Sequence, residues 1–205
     1  MPRKPKLTQE ERSRKTREKI MKAGELIFGR EGFHKANIKL IADEAKVAVG
    51  SFYLHFKNKK ELFLELVKKH NQQGIEQIFV ESGGSFANIF EQKGSLTDII
   101  KKNLEHHRQT SDFVRVIEAM LFVDKDVRKT QDEQEEIIVN NLVSMLKNIN
   151  TEVRVEDIEA AARVTRVIFT SLIHYLTLRD PKIEEDRLTR EMADVIQRYL
   201  FYMKV

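Results

Sequence analysis

The side chains with the clearest chemical use in this 205-residue chain fall in one short string, SFYLHFKNKKEL, at residues 51–62. Lys59 and Lys60 follow Asn58, a helix-capping residue type, and Glu61 stands three residues beyond it. The unpaired N–H groups and the dipole of a helix start favour an anion, and lysines there add positive charge to a formed anion site. Tyr53 and His55 bring further donors for phosphate oxygens just ahead of that start. Asn37 and Lys39 repeat the arrangement at an earlier helix start, where Asn37 serves equally well as a simple cap. Plainer uses exist for the others too: Tyr53 as a core aromatic and His55 as a surface histidine at a turn.

Catalytic chemistry finds little support. The chain has no cysteine, which excludes a disulfide framework, a thiolate nucleophile, a Cys-ligated zinc and an iron–sulfur cluster. There is no G-x-S-x-G, G-x-G-x-x-G or Walker loop; Lys93-Gly94-Ser95 has the wrong order and lacks the preceding glycine. His106 and His107 are adjacent, so on a helix they point about 100° apart and do not serve one site unaided. No set of His, Asp or Glu shows ligand spacing such as H-x-x-x-H or an EF-hand loop. We therefore expect no catalytic residue, no metal and no cofactor. An enzyme stays a rival reading only because a helical domain with buried histidine can host acid–base chemistry.

Composition frames these residues. Hydrophobic types make up 41% and charged types 33%, enough apolar material for one or two cores in a globular protein. No run approaches the roughly 18 apolar residues of a membrane span, and Met1 to Lys6 are charged without a following apolar segment, so the reading is cytoplasmic with no membrane partner. The net charge of +4 is unevenly held: residues 1–60 carry 16 Lys/Arg against 7 Asp/Glu, and the remainder carries 20 against 25. A basic N-terminal part points to a polyanion, most often nucleic acid; a solvated basic face explains the charge equally well.

The elements that must position these residues are helical. Only three prolines occur, at Pro2, Pro5 and Pro181, so almost nothing between residues 6 and 180 forbids helix. Thr8 with Glu11 reads as a capping box, opening a helix to about Glu31 that Gly32 stops, with Arg3, Lys4 and Lys6 outside as a basic arm. Asn37 caps a two-turn helix bearing Ile38, Ile41, Ala42 and Ala45 on one face. After a break at Lys46-Val47, Val49, Phe52 and Phe56 line a third short helix. Two short helices joined by a tight turn form a helix-turn-helix signature. Asn58 starts a fourth, long helix toward Val80. A loop is expected from Glu81 to Ser95, with a turn at Phe86 to Phe90, then helices near 96–109, 112–123, 126–149, 155–179 and 184–204. This is an all-α chain of about nine helices: an N-terminal three-helix unit over residues 1–57 and a helical domain over 58–205.

Residues 20–66, IMKAGELIFGREGFHKANIKLIADEAKVAVGSFYLHFKNKKELFLEL, resemble the DNA-binding region of the tetracycline-repressor-like (TetR) family of bacterial transcriptional regulators. The resemblance rests on Gly32-Phe33, Ile41-Ala42 with Ala45 and Val47, Gly50-Ser51-Phe52-Tyr53, His55-Phe56 and Lys59-Lys60-Glu61-Leu62, which stand in the order of the family motif. It covers about the first third of the chain; beyond that only the number, length and helical character of the segments agree. It implies a homodimer, a double-stranded DNA operator, a small-molecule effector bound in the C-terminal domain, and repression relieved by that effector. It also implies backbone contacts from Tyr53, His55 and Lys59. Lys60, Asn37 and Lys39 are further phosphate candidates.

Base reading is expected from Ala48, Val49, Gly50 and Ser51, with Gly50 permitting close approach of the backbone. The chain departs from the family pattern here: Ala48 stands where Ser or Thr is common, Val49 where Lys is common, and Lys46 where Gly often sits in the turn. With few side-chain donors, direct readout rests on Ser51 and on apolar contact with thymine methyls, which shifts specificity toward DNA shape and the arm. Lys46 is expected either to adopt positive φ or to change the turn.

The last two helices carry long apolar stripes that need a partner surface, in the core or across a two-fold axis. Ile168, Leu172, Tyr175, Leu188, Met192, Val195, Ile196 and Tyr199 are the expected dimer interface. Such a dimer would set two recognition helices about 34–36 Å apart, the spacing of successive major grooves. Phe63, Leu66, His107, Phe113, Met120, Phe122, Asn141, Met145, Phe169 and His174 are the candidate lining of an effector pocket, for an apolar or aromatic molecule. The fourth helix is the expected lever between effector and DNA. The alternative is a helical dimeric ligand-binding or protein-docking module without specific DNA binding, suggested by the weak polarity of Ala48 and Val49.

Overall fold

The computed structural model describes residues 8–81, 95–149 and 151–202. The basic arm at Arg3, Lys4 and Lys6, the turn expected at Phe86 to Phe90, and Met203 lie outside the described residues. Among those described there are nine helices: α1 (Gln9–Lys35), α2 (Ile38–Ala45), α3 (Val49–Tyr53), α4 (Lys59–Glu81), α5 (Ser95–Gln109), α6 (Ser111–Leu121), α7 (Lys125–Asn148), α8 (Ile158–Leu178) and α9 (Glu185–Leu200). The all-α architecture is as expected; the one departure among the described residues is an isolated antiparallel bridge between Val153 and Phe201.

Local chemistry explains the boundaries. The Thr8 side chain accepts from the N–H of Glu11, and the Glu11 carboxylate accepts from the N–H of Thr8 at 2.7 Å, so both halves of the capping box form. Gly32 breaks α1 at φ 73°, where it was expected to end, but a further turn follows and the helix closes only at Lys35. Asn37 Oδ1 accepts from the N–H of Leu40 at 3.0 Å, and Asn58 Oδ1 from that of Glu61 at 2.9 Å, opening α2 and α4. Lys46 takes φ 55° and closes α2 in the left-handed region that glycine would enter at lower cost.

The chain divides into two compact packing units. One joins the residues up to Lys69 with Asp112–Arg128; the other joins His70–Ser111 with Lys129–Val205. This packing division differs from the boundary expected at 57/58. The reason lies in the core of the first unit, where Phe63 packs edge-on to Phe28 at 5.1 Å between ring centres and to Phe113 at 5.5 Å. Ile20, Ile27, Ile41, Phe52, Leu62 and Val67 are buried there too. Each such side chain withdrawn from water contributes about 1.5–3 kcal/mol, so the start of α4 and α6 from Asp112 onward belong energetically with α1, α2 and α3. Gly24 lets α4 approach: a Cβ on it would meet Leu62 Cδ2 at 2.7 Å.

In the second unit Ile100, Leu104, Leu146, Ala162, Ile173, Ile196 and Leu200 form a core drawn from α5, α7, α8 and α9. The N–H of Arg154 donates to the carbonyl of Leu200 at 2.8 Å, tying the end of α9 to the segment after α7.

Candidate functional site

The first unit presents the expected DNA-reading residues outward. Ala48, Val49 and Gly50 are exposed at the start of α3, and nothing lies within 4 Å of where a Gly50 Cβ would stand. Ser51 is half-buried, its N–H donating to the carbonyl of Ala48 at 2.8 Å. Tyr53 is 56% exposed, so it is a surface aromatic and not a core one; its ring touches Phe52 edge-on. His55 is half-buried and Lys39 exposed. Phe52 and Phe56, both buried, anchor this short helix from below. Arg17 lies over the Phe56 ring at 5.1 Å and pairs with Glu65, joining α1 to α4.

The lysines stand at the start of α4 as expected, and their side chains are engaged within their own unit. Lys59 Nζ donates to the carbonyls of Phe33, His34 and Ala36 at 2.8, 3.1 and 2.7 Å and sits 4.8 Å from the centre of the Phe33 ring. All three donors of the ammonium are spent on the end of α1, and burial pushes its pKa down from the ordinary lysine value. Lys60 Nζ holds Asp124 at 2.8 Å and Asp126 at 2.6 Å. Its pKa is raised by hydrogen bonds to those carboxylates, and that of Asp124 is lowered by Lys60 in turn. Asp124 also caps α7 by accepting from the N–H groups of Asp126 and Val127. Both lysines therefore fix α4 within its unit, and Asn37 spends its side-chain oxygen on its cap. The N–H groups of Lys59 and Lys60 remain first-turn donors with no acceptor inside their helix.

The candidate pocket residues separate. Phe63, Leu66, Phe113 and Met120 are buried in the core of the first unit, because α6 packs there. Phe122 is 81% exposed beyond the end of α6, and Asn141 is exposed on α7. Met145 and Phe169 belong to the core of the second unit. His107 and His174 do come together, their ring centres 5.9 Å apart. His70, absent from the candidate set, joins them: it lies 5.3 Å from His107 and 5.6 Å from His106. Its burial had a signal, since it falls three and four residues after Val67 and Leu66 on α4. Burial, and then the neighbouring histidines, lower the pKa of His70 to about 4 and of His107 to about 3. No group of three or more His, Asp or Glu able to hold a metal occurs among the described residues.

The expected dimer residues also divide. Met192 and Ile196 are buried within the second unit, because they face α5 and α8 rather than outward. Tyr175 and Val195 are exposed, while Ile168, Leu172, Leu188 and Tyr199 are half-buried. Val164 and Val167 extend the exposed apolar stripe of α8.

Residues 20–66 match the bacterial regulatory proteins of the tetR family and residues 94–200 match the tetracyclin repressor-like C-terminal domain, so the chain belongs to the tetR family of bacterial regulatory proteins. A fatty acid metabolism regulator protein of Bacillus subtilis (strain 168) is 36% identical over 59 residues, a stretch spanning 29% of this chain and only 30% of that protein. Among solved structures, a protein from Mesorhizobium loti MAFF303099 described as a TetR-family transcriptional regulator matches with a TM-score of 0.74 at 17% identity, over 92% of this chain and 96% of that one. The regulator FadR from Bacillus subtilis, solved in complex with stearoyl-CoA, matches with a TM-score of 0.66 at 18% identity, over 89% of this chain and 98% of that one. At such identities the likeness is one of fold. No described helix is long and apolar enough to cross a membrane.

Proposed function

We propose that this protein is a homodimeric transcriptional repressor, released from its operator by a small-molecule effector with a long apolar part. The observation that carries the reading is the outward display of Ala48, Val49, Gly50 and Tyr53 directly before a helix start whose first N–H groups have no acceptor in their own helix. Tyr53, His55, Lys39 and the N–H groups of Lys59 and Lys60 hold phosphates; Ala48, Val49, Gly50 and Ser51 face the bases. Lys59 and Lys60 act with their side chains as positioning residues.

The exposed stripe of α8 and α9 supports pairing of two copies, which sets two heads on one DNA face. α4 supplies residues to both units, which makes it the natural carrier of an effector signal. An effector releases DNA only if it binds the two head spacings with different affinity. Acyl-CoA thioesters are the first class to test, because a regulator of this fold was solved with stearoyl-CoA and a curated relative regulates fatty acid metabolism.

Fluorescence anisotropy with a duplex taken from the DNA flanking its own gene tests both halves. The expected result is selective binding, weakened at least tenfold by Tyr53→Ala and reversed by stearoyl-CoA. Weak binding indifferent to sequence and to Tyr53→Ala would favour a ligand-binding module without an operator.

A further inference from the structure

The interior of the second unit carries more polar side chains than its own hydrogen bonding uses. Three helices bring four imidazoles together: His70 from α4, His106 and His107 from α5, and His174 from α8, with ring centres 5.3–6.1 Å apart between neighbours. On α8, Arg166, Thr170 and His174 follow at intervals of four and so share one face. His107 Nδ1, Thr165 Oγ1, Thr170 Oγ1 and Gln134 Oε1 are buried and have no hydrogen-bond partner. Such atoms are desolvated without a compensating hydrogen bond, which favours a bound group able to pair with them.

Among the described residues, the charged groups that act on His70 and His107 are of one sign. The groups that act on His70 are His106 and His174; those that act on His107 are His70, His174, His106 and Arg166. No carboxylate is among them. The nearby acid on α7, Glu135, is held by Arg166 at 3.1 Å. Asn71, beside His70, bonds Gln131 of α7 at 3.1 Å and adds no charge. Among the described residues, the groups that act on His70 and His107 are thus cationic or neutral.

We infer that this histidine cluster is the seat of an acidic group of the effector, a carboxylate or a phosphate, bound together with a proton taken up by the cluster. The inference rests on the effector-released reading above. An anion entering beside His107 and Thr170 supplies a counter-charge, so an imidazole that is neutral in the free protein takes a proton from solvent and donates to the anion. His107 Nδ1 and Thr170 Oγ1 are available for it. Binding is then tighter at pH 6 than at pH 8. A neutral molecule of equal length lacks the group that the cluster recognises.

Titration calorimetry of the full chain at pH 7.5, in buffers of different ionisation enthalpy, counts the protons directly. The probes are stearate, coenzyme A, stearoyl-CoA and, as the uncharged control, stearyl alcohol. The expected result is uptake of about one proton with at least one acidic probe. Stearate without coenzyme A would identify the carboxylate, and the reverse the phosphate. His107→Gln and His174→Gln are each expected to loosen that probe about tenfold or more, as loss of a charge-assisted hydrogen bond does; Lys129→Ala, an exposed change on α7, is expected to leave it unaltered. The proton count on the unmutated chain stands even if a histidine variant misfolds.

Binding of no acidic probe, or binding without proton uptake and with no preference over stearyl alcohol, overturns the inference. Operator release by stearoyl-CoA with no proton uptake overturns it while leaving the regulator reading intact. Tight zinc binding by the unmutated chain, lost in His107→Gln, would assign the cluster to a metal and overturn it as well.

Discussion

Replacing Lys59 by Met separates two roles that the same side chain has been given. In the structure its ammonium gives all three protons to carbonyls at the end of α1, at 2.7–3.1 Å, and lies 4.8 Å from the centre of the Phe33 ring. Hydrogen bonds of this kind contribute about 0.5–1.5 kcal/mol each net of water, and the site is partly open, which puts the loss near 2 kcal/mol in total. For a chain of this length that lowers Tm by about 4–8 °C. The same geometry leaves no donor for a phosphate, so the slope of log K against log salt for DNA binding is expected to stay as in the parent, whereas loss of a phosphate contact reduces it by about 0.9. Thermal melts and anisotropy across a salt series measure both. An unchanged Tm with a slope reduced by about one would refute the positioning role and return Lys59 to the DNA backbone.

Gly50→Ala meets open space in the protein, and alanine gains about 0.5–1 kcal/mol over glycine in a helix; stability is expected to rise while DNA affinity falls at least tenfold, and unchanged affinity would mean that α3 does not approach DNA at this point. His70 and His107, at about 4 and about 3 against an ordinary 6.5, bind protons more readily once unfolded. Stability is therefore fully present above pH 6.5 and falls as pH falls toward 4, by at most about 1.4 kcal/mol per pH unit for each histidine; melts from pH 7.5 to 4.5 are expected to show a shallower fall for His107→Gln, and identical profiles would contradict it. Val195→Glu charges the exposed face of α9, and sedimentation is expected to give monomer with weakened operator binding.

What the sequence reveals and what it hides follow from the range of the interactions. Caps act over three residues, so Thr8 with Glu11, Asn37 and Asn58 are legible; at Lys46 the sequence leaves two outcomes open, and the structure takes the positive φ. The outward face of α3 follows from the burial of Phe52 and Phe56 at helical spacing. Contacts made across many residues leave no local trace. Nothing near Lys59 announces carbonyls that lie 23 to 26 positions earlier, and nothing near Phe113 announces Phe63. α6 reads as a helix of the C-terminal part, yet its packing against Phe63 and Gly29 places it with the DNA-reading unit. The histidine cluster was half legible: His107 and His174 are polar residues on apolar stripes, but their meeting with His70 needs three helices at once.

The proposed grip on duplex DNA is two-fold and runs through α3 and the start of α4. A hydroxyl-radical footprint on the DNA flanking its own gene tests this most directly. Two protected patches are expected on one face of the duplex, centred about one helical turn or a multiple of it apart, both lost with Tyr53→Ala and both lifted by effector. A single patch, or protection that persists in Tyr53→Ala, would contradict it.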